Sequence, residues 1–148
     1  TLYSVYFLDR NNGWAVGHTG TVLYTKDGVK WYEKDLGTLV VLKSIFFVNS
    51  SYGWIACEDG NIYITTNGGD SWSKQSTGYT ISWNSIYFID EEHGWLAGKQ
   101  GYILYTSNGG KSWNEQNSGT SLEINSIFFI SSSLGYASGE QGLILKAK

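Results

Sequence analysis

Landmark residues recurring every 41 positions, four strand-like segments in each recurrence, and a polarity that climbs from first segment to last predict an all-β fold of β-propeller blades. Ser44, Ser85 and Ser126 each open an apolar run. Gly53, Gly94 and Gly135 each precede an aromatic residue, and Gly60, Gly101 and Gly142 each precede a short apolar stretch. The same landmarks stand 40 residues before the first set, at Ser4, Gly13 and Gly20. A fixed period of this length marks one supersecondary unit that covers its apolar surface only by stacking on its neighbours.

The third repeat shows the pattern most fully. Ile86-Tyr87-Phe88-Ile89 is apolar throughout, as a strand buried on both faces would be. Trp95-Leu96-Ala97 follows, then Tyr102-Ile103-Leu104-Tyr105-Thr106, rich in aromatic and β-branched residues. The fourth segment, Trp113-Asn114-Glu115-Gln116-Asn117, is polar after its tryptophan. A first strand near an axis and a last strand at a solvated rim account for that gradient, and a polar outer strand discourages edge-to-edge pairing.

The expectation is therefore four consecutive four-stranded antiparallel blades, at residues 2–41, 42–82, 83–123 and 124–148. The last is incomplete: Leu143-Ile144-Leu145 is followed by no turn and no polar fourth strand, and Leu2-Tyr3-Ser4-Val5 already begins a first strand. Propellers close with 4–8 blades. The chain thus reads as an arc of a larger propeller, or one completed by self-association through exposed blade ends. No linker, low-complexity tract or helix signal interrupts it.

The turn before the fourth strand is the most specific local feature. It reads Thr65-Thr66-Asn67-Gly68-Gly69-Asp70-Ser71-Trp72 in one repeat and Thr106-Ser107-Asn108-Gly109-Gly110-Lys111-Ser112-Trp113 in the next. Asn supplies a side-chain acceptor for nearby backbone N–H groups, and Gly supplies positive φ. This resembles the Asp-box, or bacterial neuraminidase repeat, with Asn in place of Asp in two copies. The copy at Thr25-Lys26-Asp27-Gly28-Val29-Lys30-Trp31 keeps Asp but is one residue shorter, which explains the single 40-residue interval.

The wider frame, Phe-x-Asp-x-x-x-Gly-Trp-x-x-Gly-x-x-Gly, resembles the repeat of the photosystem II stability and assembly factor family of propellers. Phe88, Asp90, Gly94, Trp95, Gly98 and Gly101 match it in the third repeat, and Phe7, Asp9, Gly13, Trp14, Gly17 and Gly20 in the first. The second departs at Asn49 and Cys57, the fourth at Ser131 and Tyr136. The resemblance implies a non-catalytic binding or assembly module with a protein partner. It also implies a place outside the cytoplasm: periplasmic, secreted or thylakoid-lumen-like.

Composition narrows the function classes. Aromatic residues make up 16% of the chain, charged residues 16%, and the net charge is −3. Such a chain offers no basic patch for nucleic acid. No apolar run approaches the roughly 18 residues of a membrane-spanning helix. The chain starts at Thr1 and holds no methionine, so it reads as a processed or excised segment whose address has been removed. The lone Cys57 stands where other repeats have Gly17, Gly98 and Gly139, and reads as a small buried filler.

Function in a repeat protein should sit where repeats differ along one face. The turns between second and third strands supply His18-Thr19, Glu58-Asp59, Lys99-Gln100 and Glu140-Gln141, and the inter-blade connections add Leu39, Tyr79 and Ser121. This rim is chemically varied and mildly acidic. Its candidate partner-binding residues are His18, Thr19, Glu58, Asp59, Lys99, Gln100, Glu140, Gln141 and Tyr79. Arg10 and His93 fall on the opposite rim, His93 at a position open to any surface residue. Two histidines so far apart give no metal-ligand spacing, and no cofactor fingerprint is present.

Two alternatives follow from the Asp-box-like turns. A sialidase of this type holds its substrate with three arginines, whereas Arg10 is the sole arginine here. Another glycosidase needs two facing carboxylates, and Glu58, Asp59 and Glu140 lie two blades apart. A glycan-binding lectin would stack sugars on exposed aromatics, for which Tyr52, Tyr79 and Tyr102 are candidates. Trp83 aligns with Leu2, Leu42 and Ile124 and reads as core, as do the in-register Trp31, Trp72 and Trp113.

Overall fold

The computed structural model describes residues 1–147. Blade 1 comprises β1 (Leu2–Phe7), β2 (Gly13–Gly17), β3 (Val22–Thr25) and β4 (Tyr32–Lys34). Blade 2 comprises β5 (Leu42–Phe47), β6 (Gly53–Cys57), β7 (Asn61–Thr65) and β8 (Ser73–Ser76). Blade 3 comprises β9 (Trp83–Phe88), β10 (Gly94–Gly98), β11 (Ile103–Thr106) and β12 (Asn114–Gln116). Blade 4 holds three strands: β13 (Ile124–Ser131), β14 (Leu134–Gly139) and β15 (Ile144–Lys146). Each sheet is antiparallel with its strands in chain order.

In the third repeat the first strand starts earlier than its apolar run: β9 begins at Trp83, with Trp83 and Ser85 buried and Asn84 half-buried. Neither face of β9 is open to solvent, as its apolar run implied. One face of β9 packs on blade 2, and the other, with buried Ser85 and half-buried Tyr87, packs on blade 4. Tyr6, Phe46, Tyr87 and Phe128 form a ladder across the four first strands, with successive ring centroids 5.1, 4.7 and 5.0 Å apart.

The junctions between blades repeat one construction. A tryptophan from the second strand stacks on a phenylalanine ending the next blade's first strand: Trp14 on Phe47 at 3.9 Å, Trp54 on Phe88 at 3.6 Å, Trp95 on Phe129 at 3.7 Å. The glycine that starts the second strand makes this possible. A Cβ on Gly94 would lie 2.5 Å from the Phe88 ring, so only glycine lets that ring lie flat against its own sheet. Trp72 and Trp113 close the other side edge-on to Phe47 and Phe88, which confirms their packing role. Stacked and edge-on aromatic pairs of this kind contribute about 0.5–1.5 kcal/mol each beyond their area.

A serine hydroxyl registers each junction. Ser4, Ser44 and Ser85 accept hydrogen bonds through Oγ from the backbone N–H of Ile45, Ile86 and Ile127 in the following blade, at 3.3, 3.3 and 3.1 Å. The landmark serines of the sequence are thus the pins that fix blade against blade. Cys57 is fully buried, and burial pushes its thiol pKa up, consistent with an inert filler.

Candidate functional site

The turns between second and third strands all lie beside the entry to their own blade. His18 donates its backbone N–H to Thr1, Glu58 to Val41, Lys99 to Ser82 and Glu140 to Glu123. The structure therefore puts the predicted pairs at one end of each sheet, next to the inter-blade connections. Thr19, Gln100 and Gln141 hold left-handed backbone at φ 53°, 58° and 55°. Their side chains point out of a tight single 3₁₀ turn, and Thr19 is the costliest, because a β-branched residue resists that conformation.

Among the predicted residues, Tyr79 and Gln100 both border Glu115, one by a hydrogen bond and the other across a shared cleft. Tyr79 leaves the connection between blades 2 and 3 and donates its phenol to Glu115 Oε2 at 3.0 Å. Its ring meets Tyr102 edge-on at 5.4 Å and rests on Trp83 at 6.2 Å. Beside this pair, Gln100, Tyr102, Glu115, Asn117 and Ser118 line a shallow cleft of about 310 Å³. The hydrogen bond to Glu115 raises the Tyr79 phenol above its usual range. Trp83 beneath is wholly buried, its Nε1 donating to Gly60 O at 3.1 Å, so it is the floor of the site and not a platform open to ligand.

The other predicted residues stand apart from that cleft. Asp59 is bound by Asn61 and by Lys74 Nζ at 3.2 Å. Burial would raise its carboxyl, but these hydrogen bonds outweigh that and hold it below its ordinary value. Glu140 Oε2 accepts the N–H of Glu123 at 3.3 Å and so caps the entry to blade 4. His18 and Glu58 are exposed, each in its own blade, as are Lys99 and Gln141. Among the described residues no group of three metal-ligating side chains gathers.

Two expectations need correction. Tyr52, Tyr79 and Tyr102 are half-buried against the core between blades 2 and 3, not free exposed rings, because each lies over the fully packed Trp54 and Trp83 region. His93 is not an unconstrained surface residue either: its Nδ1 sits 2.9 Å from Asp90 Oδ2 and its ring stacks on Tyr105 at 6.3 Å.

Glu115 escaped the sequence reading, which searched loops alone. It occupies the same place as Glu33 and Lys74 in the outer strands, where charge changes sign from blade to blade. Extending the search for inter-repeat differences to the outer strand would have found it.

Opposite this rim, the strand 1–2 and strand 3–4 turns support each other. Gly68 donates to Ser51 at 2.8 Å and Gly109 to Glu92 at 2.9 Å. Asp27 accepts from Val29 and Lys30, while Asn67 and Asn108 accept from Ser71 and Ser112. Asn keeps the acceptor oxygen and adds an Nδ2 donor to the serine hydroxyl, so the Asp-to-Asn replacement preserves the turn.

Together the radial blades and their in-register junctions define a repeat-built β-propeller architecture. The chain belongs to the family described as photosynthesis system II assembly factor YCF48, whose sequence profile matches residues 1–79 and 75–148. Among solved structures it is similar to YCF48 bound to a D1 peptide, at 25% identity and a TM-score of 0.82, over 100% of this chain and 50% of that one. It is also similar to YCF48 from Cyanidioschyzon merolae, at 21% identity and 0.78, over 99% and 53%. A Niastella koreensis GH74 enzyme shares the fold at 15% identity and 0.80, over 98% of this chain and 28% of that one. No curated protein matches. The chain spans about half the length of the YCF48 structures.

Proposed function

We propose that this chain is a non-catalytic assembly module that captures an extended segment of a protein partner on the rim bearing Tyr79, Gln100, Tyr102 and Glu115. The observation that carries the reading is the shallow cleft on blade 3, beside the Tyr79–Glu115 hydrogen bond, in a chain of the YCF48 family, one solved structure of which is bound to a D1 peptide. A phenol and a carboxylate bonded to each other, with the Gln100 amide lining the same cleft as the carboxylate, suit an extended backbone: the Tyr79–Glu115 hydrogen bond can be exchanged for bonds to a peptide N–H or C=O, and the amide can donate or accept one more. Lys99 and the two neighbouring turns at Glu58-Asp59 and His18-Thr19 would extend the contact around the rim. Family membership also supports a location outside the cytoplasm, and fractionation of cells carrying the tagged full gene product would test that.

The non-catalytic part of the reading is supported by the carboxylates. Asp59 is committed to Lys74 and Asn61, and Glu140 to a backbone N–H, so neither faces Glu58 as a glycosidase pair must.

Peptide arrays followed by fluorescence anisotropy test the capture. Tyr79→Ala is expected to weaken the best peptide roughly tenfold or more, as loss of an interface tyrosine does. Glu115→Gln should weaken it less. Binding indifferent to both changes would move the site elsewhere.

A further inference from the structure

Blades 2 and 3 carry the same turn before their outer strands, Asn-Gly-Gly, yet the junctions that close over it differ. Between blades 2 and 3, Trp54 donates its Nε1–H to Gly109 O at 2.9 Å, and Trp113 donates to Gly110 O at 3.1 Å. Between blades 1 and 2 the corresponding indoles are Trp14 and Trp72. Trp72 Nε1 is buried without a hydrogen-bond partner. Trp14 is 8% exposed, and its indole N–H donates to no group among the described residues. Both nitrogens lie beside Gly69: a Cβ there would stand 3.0 Å from Trp14 Nε1 and 3.5 Å from Trp72 Nε1. At the matching point on Gly110 the neighbours are carbon atoms of Ile62, Trp113 and Ile64. A buried donor without an acceptor costs stability, so two at one place mark a spot that lacks an acceptor.

That spot opens into a cleft of about 280 Å³, lined by Trp14, Tyr24, Lys26, Lys34, Gly69 and Asp70. Its walls are two four-stranded sheets in full, blade 1 and blade 2. The lysines are particular to this junction. Blade 2 has Thr66 and Gln75 in the places of Lys26 and Lys34, and blade 3 has Ser107 and Gln116. The ion pairs among the described residues are Lys74 with Asp59 and His93 with Asp90, so neither lysine is paired there. Unpaired cations and unsatisfied indoles therefore coincide at one junction, and both are missing from the other.

We infer that this cleft binds a carboxylate, carried by an acidic side chain or by the free C-terminus of a peptide, with the Trp14 indole N–H and the ammonium groups of Lys26 and Lys34 as its donors. Charge decides between anions. Asp9 and Asp70 also line the cleft and offset the two lysines, so a single negative charge is accommodated and a dianionic phosphate is repelled. Asp9 does not compete for the donors, because it already accepts the N–H groups of Asn11 at 2.7 Å and Asn12 at 2.9 Å. Leu8 and Tyr24 give the stem of the ligand an apolar wall. The cleft lies on the rim opposite Tyr79, and the inference is independent of the reading of that rim.

Indole N–H signals in proton–nitrogen correlation spectra of the isotope-labelled 148-residue chain test it. The probes are acetyl-Ala-Ala with a free carboxyl terminus and a fully capped Ala-Glu-Ala. Their uncharged controls are acetyl-Ala-Ala carboxamide and capped Ala-Gln-Ala. The Trp14 signal should move downfield and saturate with at least one charged probe and with neither control. Which probe responds tells a terminal from a side-chain carboxylate. The Trp54 and Trp113 signals, already bonded, should stay in place. Lys26→Gln combined with Lys34→Gln should leave the circular dichroism unchanged and weaken the saturation roughly tenfold or more. Added sodium chloride should weaken it too. A Trp14 signal unmoved by both charged probes, as a cleft holding water alone would give, overturns the inference. An equal response to the uncharged controls or to inorganic phosphate, or an affinity unchanged in the double lysine variant, also overturns it.

Discussion

Phe88 and Phe7 hold the same place in blades 3 and 1, at the end of the first strand on the face turned toward the preceding blade. Phe88 is 1% exposed because Trp54 lies over it, and Phe7 is 43% exposed because no tryptophan does. The residue and its local frame are alike, down to the glycine beneath the ring, Gly94 in one case and Gly13 in the other. Burial here is a property of position in the array, as expected when stability is a sum of blade terms and neighbour terms. The largest expected effect tests that contrast. Phe88→Ala should lose about 3–5 kcal/mol in urea denaturation, the range for deleting a buried phenylalanine. Phe7→Ala in this 148-residue chain should lose well under half as much, and equal losses would refute the nearest-neighbour account.

The serine pins give the same contrast at smaller scale. Ser85 Oγ satisfies the buried N–H of Ile127, whereas Ser126, on the outward face of blade 4, pins no backbone N–H among the described residues. Ser85→Ala should cost about 1–3 kcal/mol, the penalty for stranding a buried donor. Ser126→Ala in this 148-residue chain should be neutral within about 0.5 kcal/mol, as is usual for surface changes. A further step down, Asn108→Ala removes the acceptor for Ser112 N–H and should cost about 1 kcal/mol, while Asn108→Asp, which keeps that oxygen, should cost less.

Architecture was legible in the sequence because every blade repeats the constraints that build it. Gly94, Phe88, Trp95 and Ser85 recur in register since each solves one problem at every junction, so their spacing alone announces the fold. That the described residues of blade 4 reach its third strand was legible for the same reason, against a fixed period. The rim was legible only in outline. Tyr79 and Gln100 could be placed on one edge by counting turns, but their meeting with Glu115 depends on how far blade 3 leans over the connection from blade 2, which no periodicity encodes. The same holds for the half-burial of Tyr52 and Tyr102: a polar-tipped ring at the edge of a core has no distinct pattern in the chain. Asp59 looked free until its strand neighbours Asn61 and Lys74 were seen around it.

The smallest expected effect separates blade 1 from blades 2 and 3 by acid. Asp27 supports its turn as a carboxylate: hydrogen bonds from the N–H groups of Lys30 and Val29 hold its pKa below the ordinary value. Asn67 and Asn108 do the same work without a charge. A carboxyl depressed on folding contributes its full stability above the unfolded-chain value near 3.9 and loses it as pH falls through the lower, folded value. The Asp27 turn should therefore loosen first on acidification, seen as faster amide exchange at Val29 and Lys30 while Ser71 and Ser112 stay protected. Asp27→Asn should remove that pH dependence and leave the turn formed, because the amide oxygen accepts the same two donors. Parallel loss of protection in all three turns would mean that acid opens whole blades, and that the charge on Asp27 is incidental to its turn.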